Sequence, residues 1–220
     1  MVSGRYPHKW SLSIARIRAQ WRSGGPVVTV ALMAACVAVW LVEVVTRYLF
    51  PTVYATLLGA TAFSPSMMVA EPWTAVTSMF VHSINISHIV CNMISLWVVG
   101  MVMERALGHW RFLAVYLLCG LGGDLGLVVS GLVAPSTWWS YAVGASGAIF
   151  GMFGALLVVY RRLGIDIRGM AVWMAINFAM PLFVPNIAWQ AHVGGFVIGA
   201  AVMALIWQWS AWRSGRRRSR

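Results

Sequence analysis

From Gly169 to Trp212 the chain contains no Asp, Glu, Lys or Arg. A stretch of that length without charge is room for two membrane-crossing helices, since a bilayer core takes ~20 apolar residues per helix. Composition extends the point to the whole chain: 60% of the 220 residues are hydrophobic and 10% are charged, against about 25% charged in soluble domains. A water-soluble globule is excluded. The long apolar runs are interrupted by Gly, Pro and Arg and show no strict alternation, so the expectation is an all-α membrane protein and not a barrel.

Cutting the apolar runs where charge and turn residues cluster predicts six spans, at about residues 26–48, 74–103, 110–133 and 144–160, with two more in 169–212. The last two divide at Pro181-Leu182-Phe183-Val184-Pro185-Asn186, because proline cannot continue a helix ladder. Residues 26–212 then form one six-helix membrane domain, flanked by a basic leader at 1–25 and a basic tail at 213–220.

The cations test this division. The net charge is +11, with 16 Lys and Arg against five acids, and cytoplasmic loops should hold most of the cations. Arg5, Lys9, Arg16, Arg18 and Arg22 precede the first span, Arg105 and Arg111 lie between the second and third, and Arg161, Arg162 and Arg168 follow the fourth. Arg213, Arg216, Arg217, Arg218 and Arg220 follow the sixth. Both termini are therefore expected in the cytoplasm. Arg47 alone falls on the outer side, and Glu43, four residues earlier, is placed to pair with it. An inner anchor on anionic lipid accounts for the basic tail without nucleic acid. In the leader, Trp10, Ile14, Ile17 and Trp21 recur at helical spacing among arginines, the pattern of an interfacial helix on the inner leaflet. Cys36, Cys91 and Cys119 lie in apolar runs at no metal-ligand spacing and read as small buried hydrophobes.

Polar groups inside a membrane are costly and usually functional. With the orientation above, His82, His88, Asn92, Asp124, Ser146 and His192 all fall toward the outer leaflet. Gly144-Ala145-Ser146-Gly147 places a serine at a helix start, where free N–H groups and the positive dipole end favour an oxyanion. Ala191-His192-Val193-Gly194-Gly195 places an imidazole at the outer end of the last span. Gly195 and Gly199 form a small-residue face that fits the Gly147, Gly151 and Gly154 face of the fourth span, which would bring Ser146 and His192 together. A hydroxyl needs such a base to act as a nucleophile near neutral pH. His88 and Asn92, four apart, project from one helix face as hydrogen-bond donors.

These residues together resemble the rhomboid family of intramembrane serine proteases over about residues 73–199. The matching blocks are His82 to Asn92 with its His-x-x-x-Asn core, Glu104-Arg105-x-Leu107-Gly108, Gly144-x-Ser146-Gly147 and Ala191-His192-x-Gly194-Gly195. The resemblance implies a six-helix rhomboid-like bundle, with Ser146 as nucleophile, His192 as general base and then acid, and His88, Asn92 and the Ser146 N–H as oxyanion donors. It implies no cofactor and no metal. It also implies transmembrane proteins as substrates, and a multi-pass protein of a bacterial cell membrane with its site toward the extracytoplasmic side. The chain departs from the family at Glu71-Pro72-Trp73-Thr74, where a Trp-Arg pair is common. It departs again at Phe150, where some members carry Tyr and either ring can pack on the imidazole. His82 stands six residues before His88, one more than in its relatives, and helix packing is its expected role. Asp124 would complete a triad by composition, but the resemblance gives it no such part; a protonated or water-bridged packing residue is expected.

Three function classes remain in view. Proteolysis in or near transmembrane segments leads, because a catalytically silent rhomboid-like protein that binds membrane clients would be expected to have lost the Ser146 and His192 pair. A channel or transporter would show repeat symmetry, broken mid-membrane helices or an acidic relay, none of which the sequence displays apart from Asp124.

Overall fold

A computed structural model describes residues 25–179 and 187–218. Its helices are α1 (Val27–Leu49), α2 (Pro51–Thr61), α3 (Thr74–Thr77), α4 (Ile86–Leu107), α5 (His109–Val133), α6 (Ser146–Leu163), α7 (Arg168–Ala179) and α8 (Trp189–Arg218), with short 3-10 turns at Pro65–Met67 and Pro135–Trp139. Five of the described helices are long and apolar enough to cross a bilayer: α1, α4, α5, α6 and the Trp189–Ser210 part of α8. Their outward faces carry exposed Leu41, Val42, Ile94, Val98, Leu125 and Val129, a surface suited to lipid and costly in water. Where the fifth span was expected, the described residues hold α7, a 12-residue helix that is not among these five. The dividing stretch at 181–186, the leader and its interfacial helix lie outside the described residues.

The core is built on α5, α6 and α8, which meet through glycine. A methyl group on Gly195 or Gly199 would collide with the carbonyl oxygen of Gly147 or Gly151, and one on Gly194 would stand 2.7 Å from Cα of Gly126. The backbones therefore touch, as the glycine spacing in the last span predicts. The participation of α5 through Gly122, Gly123 and Gly126 is an addition the sequence reading did not contain.

Two ends of the bundle are held differently. At one end Glu104, 1% exposed, accepts hydrogen bonds from Val28 N (2.8 Å), Thr29 N (2.8 Å) and Thr29 Oγ1 (2.6 Å), and contacts Nδ1 of His109. The first N–H groups of α1 have no helical acceptor of their own, so a carboxylate from α4 caps α1 across the bundle. Arg105, Arg161 and Arg162 lie in the last turns of α4 and α6 at this same end.

At the other end the helix expected at 74–103 is interrupted. Four residues of α3 give way to non-helical chain at 78–85, and α4 begins after Asn85, whose side chain accepts from Ser87 N at 3.1 Å. His82 is consequently in a buried loop and not on a helix. The predicted Glu43–Arg47 pair is also replaced: Glu43 turns inward and accepts from His82 N at 3.0 Å, while Arg47 stands over the Tyr54 ring, 5.8 Å from its centroid. The buried backbone donor outweighs an exposed ion pair, because leaving it unmet would cost more than the pair contributes. Cys91 is exposed, unlike buried Cys36 and Cys119, so the buried-hydrophobe reading fails for it. Where the family often has Arg, Thr74 is buried and its Oγ1 donates to Glu71 O at 2.6 Å. Trp73 Nε1 donates to Ala60 O (2.9 Å) and Thr77 Oγ1 to Thr61 O (2.9 Å), tying α2 to α3 without the guanidinium.

Candidate active site

Ser146 is the first residue of α6, entered from Ala145. Of the first turn, Ile149 N finds its acceptor in Ala145 O at 2.9 Å; the N–H groups of Ser146, Gly147 and Ala148 have no helical acceptor by position. The chain leading to Ser146 is pinned at nearly every residue. Ala142 exchanges both backbone hydrogen bonds with Phe63 (2.8 and 3.1 Å), Gly144 N donates to Ser78 O at 2.9 Å, and Ala145 N donates to His82 Nε2 at 3.4 Å. Gly144 has φ +118°, a conformation that disfavours any side chain.

His192, in the first turn of α8, places Nε2 3.0 Å from Oγ of Ser146. The pairing expected from the two glycine faces is present. Phe150, one turn along α6, lies flat on the imidazole, with centroids 4.1 Å apart and planes 8° from parallel. Phe178 of α7 meets Phe150 edge-on at 4.7 Å. Nδ1 of His192 is buried and has no hydrogen-bond partner among the described residues, so Asp124 does not stand behind the ring as the acid of a triad. Stacking fixes the orientation that a carboxylate fixes in triads.

His88 and Asn92 share the inner face of α4. The N–H of Ser83 donates to Nδ1 of His88 at 3.2 Å; a neutral imidazole that accepts at Nδ1 carries its proton on Nε2. That Nε2 borders the space left by the missing side chain of Gly144: a methyl there would stand 2.9 Å from it and 3.8 Å from Oγ of Ser146. Asn92 Nδ2 donates to His88 O at 2.8 Å and has a second hydrogen to give.

His82 acquires a part the sequence did not show. Its Nδ1 is 3.0 Å from Phe80 O, so the proton sits there and Nε2 accepts from Ala145 N. The loop carrying it is held by one face of α1: Cys36 Sγ donates to Met79 O (3.8 Å), Trp40 Nε1 to Ser83 O (3.1 Å), and Glu43 takes His82 N. Positions 36, 40 and 43 follow helical spacing, the signal that could have marked this face as a scaffold. Asp124, from α5, lines a cavity beside Ser146, and its Oδ2 is buried without a partner among the described residues.

A bundle of apolar helices holding a half-buried serine, three imidazoles and an amide at one end defines an integral multi-pass membrane protein with a polar intramembrane site. Comparison with known proteins gives the family. A profile of the Rhomboid domain matches residues 69–209. The rhomboid protease GluP of Bacillus subtilis (strain 168) is 33% identical over 170 residues, 74% of this chain and 32% of its own length. RHOMBOID-like protein 5 of Arabidopsis thaliana is 34% identical over 136 residues, 59% of this chain and 42% of that protein. The putative rhomboid protease YdcA of Bacillus subtilis (strain 168) is 32% identical over 147 residues, 63% of this chain and 71% of that protein. The chain belongs to the rhomboid family. It spans less than half the length of GluP and of the Arabidopsis protein.

Proposed function

We propose that this protein is an intramembrane serine endopeptidase that cuts peptide bonds in or near the transmembrane segments of other membrane proteins, using Ser146 and His192 as a dyad. The observation that carries the reading is the 3.0 Å approach of Ser146 Oγ to His192 Nε2, within the range needed for general-base activation of a hydroxyl. Two relatives named as rhomboid proteases support it.

The chemistry follows from the geometry. Oγ of Ser146 attacks the scissile carbonyl carbon while Nε2 of His192 takes its proton, and the carbonyl oxygen becomes an oxyanion. Nε2–H of His88, the free Nδ2–H of Asn92 and the Ser146 N–H supply its donors; the space beside Gly144 is where it is received. His192 then gives its proton to the leaving amine, and water hydrolyses the acyl-enzyme. Donors already fixed by Ser83 and by the pinned chain at 142–145 need not reorganise during the reaction.

The arginines at the end opposite Ser146 support, by the positive-inside rule, a site that faces the extracytoplasmic side. A helical substrate must unwind before its backbone reaches Oγ, so helix-breaking residues near the cut favour cleavage. Entry runs between α4 and α7. Only Met174 is buried among the described residues of α7, whereas α6 and α8 are locked by backbone contact. On α7, Trp173 packs on Phe153, and Phe178 on Phe150 and Phe196.

The test is incubation of purified protein in liposomes with a single-span substrate. Wild type should cleave it and Ser146→Ala should not, with unchanged thermal unfolding. Equal cleavage by both would contradict the assignment.

A further inference from the structure

Resting on the dyad reading above, we propose that Phe178 of α7 is a positioning residue for His192. Through Phe150 it holds the base in line with Ser146, so the dyad is competent only while α7 is packed against the bundle. The three rings form an unbroken row. His192 stacks on Phe150 with centroids 4.1 Å apart and planes 8° from parallel, and Phe178 meets Phe150 at 4.7 Å and 61°. Stacked and edge contacts are both favourable between flat rings and add to the effect of burial.

The row matters because the base has few polar restraints. Nδ1 of His192 has no hydrogen-bond partner among the described residues, which leaves the ring its 3.0 Å contact with Ser146 Oγ and its flat contact with Phe150. Once Oγ is bonded to an acyl group it no longer donates to Nε2, and the imidazole must then keep its place on the stack. The backbone of Phe150 is fixed, since Gly151 and Gly154 of α6 lie against α8. Its ring still turns about its own side-chain bonds, and Phe178 is the ring that α7 sets against it. Phe178 also meets Phe196, one turn beyond His192 on α8, at 5.9 Å and 84°.

The helix that carries Phe178 is lightly held. Met174 is the only buried residue among those described in α7, and Trp173 adds a ring contact with Phe153 at 4.8 Å. A helix attached by a few side chains moves aside at smaller cost than α6 or α8, whose backbones touch. Entry of a substrate between α4 and α7 therefore draws Phe178 off Phe150 and loosens the base, and return of α7 over the bound segment restores the row. An open entrance meets a disarmed dyad, and cleavage follows closure.

Two reactants of different size separate this role from packing or gating alone. A fluorophosphonate is small and requires no transmembrane segment to be admitted: Ser146 Oγ bonds to phosphorus, its proton passes to Nε2 of His192, and fluoride leaves. Wild type, Phe178→Tyr, Phe178→Leu and Phe178→Met are compared in liposomes for the rate of Ser146 labelling and for kcat and KM on a single-span substrate, with thermal melts to confirm that each is folded. The Leu and Met variants keep bulk and lose the ring. They should label about 2–10-fold more slowly and lose kcat by the same factor at nearly unchanged KM, the range that one aromatic pair supplies, while Phe178→Tyr should match wild type. If α7 is only a gate, the Leu and Met variants label at the wild-type rate and cleave the single-span substrate faster, which would overturn the proposal; equal slowing in Phe178→Tyr would overturn it as well. A second arm needs no activity: a crystal structure of Phe178→Leu should show the His192 ring turned from its place, with Nε2 no longer within hydrogen-bond distance of Ser146 Oγ, and an unmoved ring would contradict the coupling. Wild type that neither labels at Ser146 nor cleaves strikes the dyad and the coupling with it, whereas labelled wild type with an indifferent Phe178 strikes the coupling alone.

Discussion

Ser83 donates its backbone N–H to Nδ1 of His88 at 3.2 Å, and that bond makes His88 a donor at the nitrogen nearest Ser146. The loop carrying Ser83 is itself held through Trp40 and Glu43 of α1. A helix remote in sequence from Ser146 therefore bears on which tautomer His88 adopts.

The first prediction concerns that donor. His88→Ala and Asn92→Ala should each lower kcat by about 10²–10³ with little change in KM, since an oxyanion donor acts on the transition state more than on bound substrate. Steady-state kinetics in liposomes measure this. A rise in KM at unchanged kcat would assign the two residues to substrate binding instead.

Phe150 should matter through the ring it stacks on. Phe150→Tyr keeps the stack and should keep activity, whereas Phe150→Leu frees the imidazole. An aromatic pair contributes about 0.5–1.5 kcal/mol, so a loss of about 2–10-fold in kcat is expected. Parallel thermal melts show whether a loss reflects the site or the fold; equal activity in both variants would remove the stacking role.

Gly144 carries two constraints at once, a φ of +118° and a methyl position 2.9 Å from His88 Nε2. Gly144→Ala should fold with a modest stability loss of about 1–3 kcal/mol and be nearly inactive, because the added methyl fills the space in which the oxyanion forms. Gly199→Ala meets the Gly151 carbonyl instead, and should lower the melting temperature first and activity as a consequence. Calorimetry and cleavage on the two variants distinguish them; the reverse pattern would contradict the site geometry.

How much of this was legible beforehand follows from the kind of signal each residue leaves. The long apolar helices, the meeting of Ser146 with His192 and the glycine faces that cause it could be read from sequence, because hydropathy, helix starts and small-residue spacing are local patterns. The interruption at 78–85 was hidden, since the stretch carries no Asp, Glu, Lys, Arg, Gly or Pro and only the Asn85 cap marks the restart. Glu43 was misassigned because an acid and a base four residues apart satisfy the helical pairing rule, and nothing in the sequence reveals the buried His82 N–H that wins the carboxylate. His82 and the cap of α1 by Glu104 depend on contacts between distant segments, which leave no periodic trace.

Lateral entry has its own test. A disulfide joining the Ser146 ends of α4 and α7 should stop cleavage of transmembrane substrates when closed and restore it on reduction. Undiminished cleavage with the lock closed would place the entrance elsewhere.

The central claim is that His192 turns Ser146 into a nucleophile, and the most direct measurement is peptide-level mass spectrometry of the protein after treatment with a fluorophosphonate. The account predicts an adduct on Ser146 in wild type and its loss in His192→Ala, with both proteins folded. An adduct on a different serine, or labelling of Ser146 that survives unchanged without His192, would contradict it.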